Sequence, residues 1–170
     1  MEEADRAAGV AAVRALLRIG SEAEDGLIGA LVSEAFDLAE RFTGQVLIAR
    51  SISERIAADG TWRRLVATPV RSIAEVSADG APLTAEVYAV DIDADGDGWV
   101  RVSGAARVVT VALQAGLASD WASLPSAIQG GIVRLAAYRF DAREAGEAPP
   151  AAVSALWRPY RRLRLAEARA

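Results

Sequence analysis

The sequence predicts an α+β fold, with helices at both ends and an antiparallel β region between them. Three observations carry this. Apolar residues recur at helical spacing over residues 1–44 and again after Pro125; between those stretches the period shortens toward two; and Asp-Gly pairs at 59–60 and 79–80 punctuate the middle as tight turns do. At 170 residues the chain has the length of one ordinary domain, and a single domain over 1–170 is the expectation.

The N-terminal part, 1–44, reads as a helical hairpin. Residues 5–19 form the first predicted helix, with Val10, Val13, Leu16 and Leu17 near one face. Ser21 and Glu24 then fit an S-x-x-E capping box, in which each side chain satisfies a backbone N–H at a helix start. Leu27, Ile28, Leu31, Ala35, Leu38, Ala39 and Phe42 follow along one face, and Gly44 supplies the stop.

From Gln45 to residue 118 the chain reads as about six short strands. "QVLIARSISERIAA" alternates over much of its length, and Asp59-Gly60 is a hairpin-type turn before "TWRRLVA". After Pro69, "VRSIAEVSA" runs to Asp79-Gly80. "AEVYAVDI" and "WVRVSG" flank an acidic loop, and "ARVVTVALQAG" closes the series. "LASDWASLP" is a linker.

The C-terminal part, 124–165, is helical again. Pro125 stands near the first position of a long helix, "PSAIQGGIVRLAAYRFDAREA". Ile128, Ile132, Leu135 and Tyr138 form one stripe, and Val133, Ala136, Ala137 and Phe140 a second beside it; a stripe that wide implies cover on two sides. Gly130 and Gly131 cost the helix about 1 kcal/mol each relative to Ala, so a close backbone approach is expected there. "AAVSALW" starts a short helix that Pro159 kinks or stops, and a basic tail follows.

Composition excludes more than it identifies. The chain has no Cys, His, Lys or Asn, and all 19 basic residues are Arg. Disulfides, thiol nucleophiles, the usual zinc ligands and imidazole proton transfer are therefore absent, and the expectation is a non-enzymatic protein without a cofactor. There is no Walker A, Rossmann glycine pattern or nucleophile elbow. Trp62, Trp99, Trp121 and Trp157 are scattered and predict packing in a core or interface. No apolar run approaches a membrane span, and Arg14 and Arg18 interrupt the apolar part of an acidic N-terminus, unlike a secretory signal; a cytoplasmic chain is expected. Apolar residues make up 52% and mean hydropathy is +0.19, which favours a subunit with contact surfaces.

Charge is graded along the chain. Residues 1–44 carry four Arg against nine acids, whereas 151–170 carry five Arg against Glu167. A basic tail on an acidic chain predicts an acidic partner, or else cations complementing a helix C-terminus.

One stretch, "DIDADGDGWV" at 91–100, imitates a calcium loop. Counting from Asp91, acids at Asp91, Asp93 and Asp95 and a glycine at Gly96 match the first six EF-hand positions, but the twelfth is Val102, which cannot coordinate. The flanks alternate like strands, and Asp and Gly are what a tight turn selects. The reading is a turn.

The order of elements and several strings together resemble the head–tail connector (adaptor) proteins of tailed bacteriophages, prophages and gene transfer agents. "EDGLIGALVSEAFDLAERFTG" is similar to the family's second helix, "LVATPVRSIAEV" to its Pro-Val strand, and "YAVD" to the strand before its variable turn. "VVTVALQAG" resembles the last strand, without the aromatic often found where Leu113 or Gln114 stands. "LPSAIQGGIVRLAAYRFDAREA" is similar to the long third helix with its Arg-Glu ending, here Arg143 and Glu144, though Gly130-Gly131 is a departure. "ALWRPYRRLRL" matches the C-terminal Pro-Tyr-Arg element at Pro159, Tyr160 and Arg161.

The resemblance implies a structural subunit of the particle neck, assembled in the bacterial cytoplasm. It would form a homo-oligomeric ring beneath the portal protein, extend the DNA channel and carry the stopper or tail-completion protein. DNA would pass without specific binding, and no membrane is involved. It assigns portal contact to residues 157–165, with Trp157, Arg158, Tyr160, Arg161, Arg162 and Arg164 as the contact residues. Two other readings of that segment stand beside it: Trp157 and Leu163 packing on the chain's own core, and a nucleic-acid contact in which four Arg meet phosphates and Tyr160 stacks on a base.

Overall fold

The computed structural model describes residues 1–104, 106–142 and 151–162. It is α+β, as the sequence predicts, and the chain divides into two compact units. One comprises Met1–Gly44 and the chain from Asp120 onward; the other is Gln45–Ser119.

The helical unit contains α1 (Glu3–Leu17), α2 (Asp25–Thr43), α3 (Ser126–Ala142) and α4 (Ala151–Trp157). Each of α1, α2 and α3 packs on the other two, and α4 packs on α3 and α2. Val13, Ile28, Val32, Phe36, Ile128, Ile132, Leu135 and Trp157 fill the core. Gly9 opens α1 to that core, since a Cβ there would lie 2.7 Å from Val32 Cγ1 and 3.5 Å from the Trp121 ring. The Trp121 turn is tied to α1 by its backbone N–H, which donates to Asp5 Oδ1 at 2.7 Å.

Two N-terminal expectations are corrected. The capping box does not form: α2 begins at Asp25, and Ser21 Oγ accepts from Ala23 N–H in the preceding turn. The buried face of α2 is rotated from the expected one, with Val32 and Phe36 at its centre and Leu27 exposed; Leu16 of α1 is exposed too. Gly44 does end α2, in the left-handed region at φ +68°, which suits glycine.

Among the described residues the β unit has seven strands in two antiparallel sheets. One sheet orders β1 (Arg50–Ala57), β7 (Val108–Ala115), β3 (Val70–Ala78) and β4 (Ala81–Pro82); the other orders β2 (Arg63–Arg64), β6 (Gly98–Val102) and β5 (Tyr88–Ile92). Alternation buries Val109, Val111, Leu113 and Ala115 of β7, which join Val76 of β3 and Val100 and Val102 of β6 in one apolar cluster. Asp79 and Gly80, both at positive φ, make the two-residue turn from β3 to β4. Asp59-Gly60 is different. It is a turn, but β1 and β2 on either side of it belong to different sheets, so it closes no hairpin.

Candidate functional site

The segment 151–162 packs on the helical unit through the Trp157 ring, a main-chain bond from Arg162 and the Arg161 cation, among other contacts. Val153 and Trp157 lie four residues apart on α4, hence on one face, and both are buried. Trp157 has 0% exposure. Its ring rests on the backbone of α3 at Gly131, where a Cβ would come within 2.1 Å of Nε1, and Nε1–H donates to the Ile128 carbonyl at 3.3 Å. The Phe42 ring stands 5.9 Å away, tilted by 56°. The close approach expected at the glycine pair is thus made at Gly131; at Gly130 a Cβ would meet only the Arg134 guanidinium at 3.6 Å.

After Trp157 the chain makes a 3-10 turn, Arg158–Tyr160, with Pro159 inside its first positions. Arg162 N–H then donates to the Thr43 carbonyl at 2.8 Å, satisfying a carbonyl at the end of α2. The Arg161 guanidinium sits 5.6 Å over the Phe42 ring, a cation–π contact. Arg158 and Arg161 are exposed, and Tyr160 and Arg162 are half-buried. The geometry therefore presents a short basic arm beside the C-terminal end of α2.

Of the six residues expected to touch a partner, four come together in this arm: Arg158, Tyr160, Arg161 and Arg162. Trp157 is fully buried, and its ring anchors the arm. Arg164, like Leu163, Arg143 and Glu144, lies outside the described residues.

The acidic loop joins β5 to β6 as a turn organised by its own carboxylates. Asp93 Oδ1 accepts from the N–H groups of Asp95 and Asp97 at 3.0 and 2.9 Å, and its Oδ2 from Trp99 Nε1–H at 3.2 Å. The Asp97 N–H and the Trp99 indole hold the Asp93 carboxyl below the usual carboxylate range. Asp97 turns inward to accept from Thr68 Oγ1 at 2.9 Å and to pair with Arg64. Gly96 is required twice over, by its φ of +78° and by Pro69 Cβ, 2.8 Å from where its own Cβ would be. Among the described residues no group of three or more His, Cys, Asp or Glu side chains could hold a metal ion, and no helix is long and apolar enough to cross a membrane.

Sequence reasoning missed two buried carboxylates that act as anchors, Asp5 and Asp97. Nothing local marks either one: the partner of Asp5 is 116 residues away and those of Asp97 are 29 and 33 away.

The fold is shared with solved structures along nearly the whole chain. A chain in the neck of an empty GTA particle, computed with C6 symmetry, superposes with a TM-score of 0.76 at 24% identity, covering 95% of this chain and 92% of that one. A chain in the virion of a native gene transfer agent (GTA) particle gives 0.72 at 24% identity, covering 93% and 91%. One in the neck of a native GTA particle, computed with C12 symmetry, gives 0.72 at 22%, covering 95% and 94%. No protein-family model matches the sequence, and no curated protein does.

Proposed function

We propose that this chain is a head–tail connector subunit, forming a ring beneath the portal of a tailed phage or gene transfer agent particle and joining the head to a stopper or tail. The observation that carries this reading is the near-complete sharing of fold with chains of particle necks, two of them treated with cyclic symmetry. The C-terminal strings that resemble connectors agree with it independently of the backbone. A ring subunit needs contact surfaces and no reactive groups, which suits a chain without Cys or His. The arm formed by Arg158, Tyr160, Arg161 and Arg162 is the portal-facing element, its guanidinium groups pairing with portal carboxylates.

The test is the copy number of this chain relative to the portal protein in purified tailed particles, by quantitative mass spectrometry. About one copy per portal subunit supports a ring stacked on the same axis. Absence from particles that hold portal and tail ends the reading and turns attention to the basic arm as a nucleic-acid contact. The portal assignment has its own check. Arg158→Glu with Arg161→Glu should abolish co-purification with portal at a stability cost of no more than about 1 kcal/mol, that of the lost Arg161–Phe42 contact; unchanged binding rejects the assignment.

A further inference from the structure

We propose that neighbouring copies join through their β units, strand β1 of one copy lying antiparallel against strand β5 of the next. This rests on the connector reading and names the contact that closes the ring.

The two sheets present four edges. Those at β2 and β4 are two residues long, and β4 contains Pro82, which has no N–H to offer; the part of β3 before Ser77, which β4 does not pair, is broken by bulges between Val70 and Ser72 and between Ile73 and Glu75. The edges at β1 and β5 run for eight and five residues, long enough to pair with another strand.

These long edges carry opposite charge. Along β5 and its flanks Glu86, Asp91 and Asp95 are exposed; along β1 and its flanks the exposed charges are Arg50, Arg55 and Arg107, with Asp59 already paired to Arg63. Asp91 and Arg55 each lie on the outward face of their sheet, since the inward rows are Tyr88, Val90 and Ile92 on β5 and Ile52, Glu54 and Ile56 on β1. Two β5 edges meeting would oppose acid to acid, and two β1 edges Arg to Arg. Only the unlike pairing is attractive. Charge thus selects a head-to-tail contact over a two-fold one, and a head-to-tail contact is the kind that closes into a ring.

The apolar surface agrees. Val90 and Ile92 share the inward row whose next members, Val100 and Val102 on β6, are buried; yet they stay 44% and 38% exposed, since among the described residues no strand lies beyond them. Ile52 and Ile56 on β1 are likewise half-buried against the cluster. Setting Arg55 opposite Asp91 in an antiparallel register places Ile56 beside Val90, Ala57 beside Ala89, and Glu54, whose carboxylate is already bound by the Val66 and Ala67 N–H groups, beside Ile92. Like faces then meet like across the junction.

The chain has no cysteine, so Ala57→Cys with Ala89→Cys reports this contact directly. In purified particles, oxidation of the double variant should give a ladder of covalent multimers, and neither single variant should. Normal incorporation without a ladder overturns the proposal and leaves the connector reading intact, whereas absence of the wild-type chain from particles overturns both. Charge exchange is the second test. Arg55→Asp and Asp91→Arg should each reduce incorporation by about tenfold, and the two combined in one chain should restore it. A combined variant that folds but remains as defective as either single one would also overturn the proposal.

Discussion

The helical unit and the β unit use side chains for different purposes. In the helical unit bulky rings are fitted onto glycines: Trp121 against Gly9 on α1, and Trp157 against Gly131 on α3. In the β unit carboxylates organise the loops. Asp59 accepts from Thr61 and Arg63, Glu54 from the N–H groups of Val66 and Ala67, and Asp93 and Asp97 order the β5–β6 turn. The first unit is sensitive to volume, and the second to charge and hydrogen bonding.

The largest expected effect breaks the helical side of this contrast. Trp157→Ala removes a fully buried ring, its bond to Ile128 and its contact with Phe42, and should cost about 3–5 kcal/mol by chemical denaturation. The variant should also loosen the arm, whose other ties include the Arg162–Thr43 bond and the Arg161–Phe42 contact. A cost below about 1 kcal/mol would mean that α4 is held by something else.

Next in size is the β unit's inward carboxylate. Asp97→Ala takes the ion-pair partner from Arg64 and an acceptor from Thr68, and should cost about 2 kcal/mol. Arg64 Nε is already buried without a hydrogen-bond partner, so the guanidinium has little left to compensate. Recovery in Asp97→Asn of most of the loss would show that geometry matters there more than charge.

The glycine pair sharpens the volume argument within one helix. Gly131→Ala gains about 1 kcal/mol of helix propensity but drives a Cβ into the Trp157 indole, an overpacking cost of about 1–3 kcal/mol, so a net loss near 1 kcal/mol is expected. Gly130→Ala meets only ordinary contact with Arg134 and should gain about 1 kcal/mol. Equal effects at both positions would refute the ring-on-glycine account.

These same places show what the sequence could reveal. Period and turn chemistry are local, so the strand at 70–78, the helix stop at Gly44 and the short helix at 151–157 were legible to within a residue or two. The rotation of α2 was not, because Leu27 and Ile28 are adjacent and equally apolar; only the packed neighbours decide which points inward. The Ser21 capping box failed for a related reason. The chain takes Ser21 into a turn of its own, while Arg14 of α1 pairs with Asp25 at the helix start. Trp157 as an anchor rested on recognising that an indole and a bare glycine backbone would meet across two helices. The exposed Arg158 and Arg161 were legible as an arm, but the fold decided which aromatic stays with them.

The smallest effect concerns acid, and it tests the charge side of the contrast. Asp93 and Asp59 have folded pKa values below the ordinary 3.8, Asp93 through the Asp97 N–H and the Trp99 indole, Asp59 through the Arg63 guanidinium and the Thr61 hydroxyl. A carboxyl with a depressed folded pKa stabilises the protein above its unfolded value, and that contribution fades as pH falls through the folded one. The stability difference between wild type and Asp93→Asn should therefore be widest at neutral pH and narrow below about pH 4. Because the loop is solvent-exposed, screening keeps the difference small, and added salt should shrink it further. Urea melts of both proteins at several pH values would measure it. A difference that stays constant with pH would assign the work of Asp93 to hydrogen-bond geometry alone, and the β unit's turns would then depend on shape in the way the helical unit's core does.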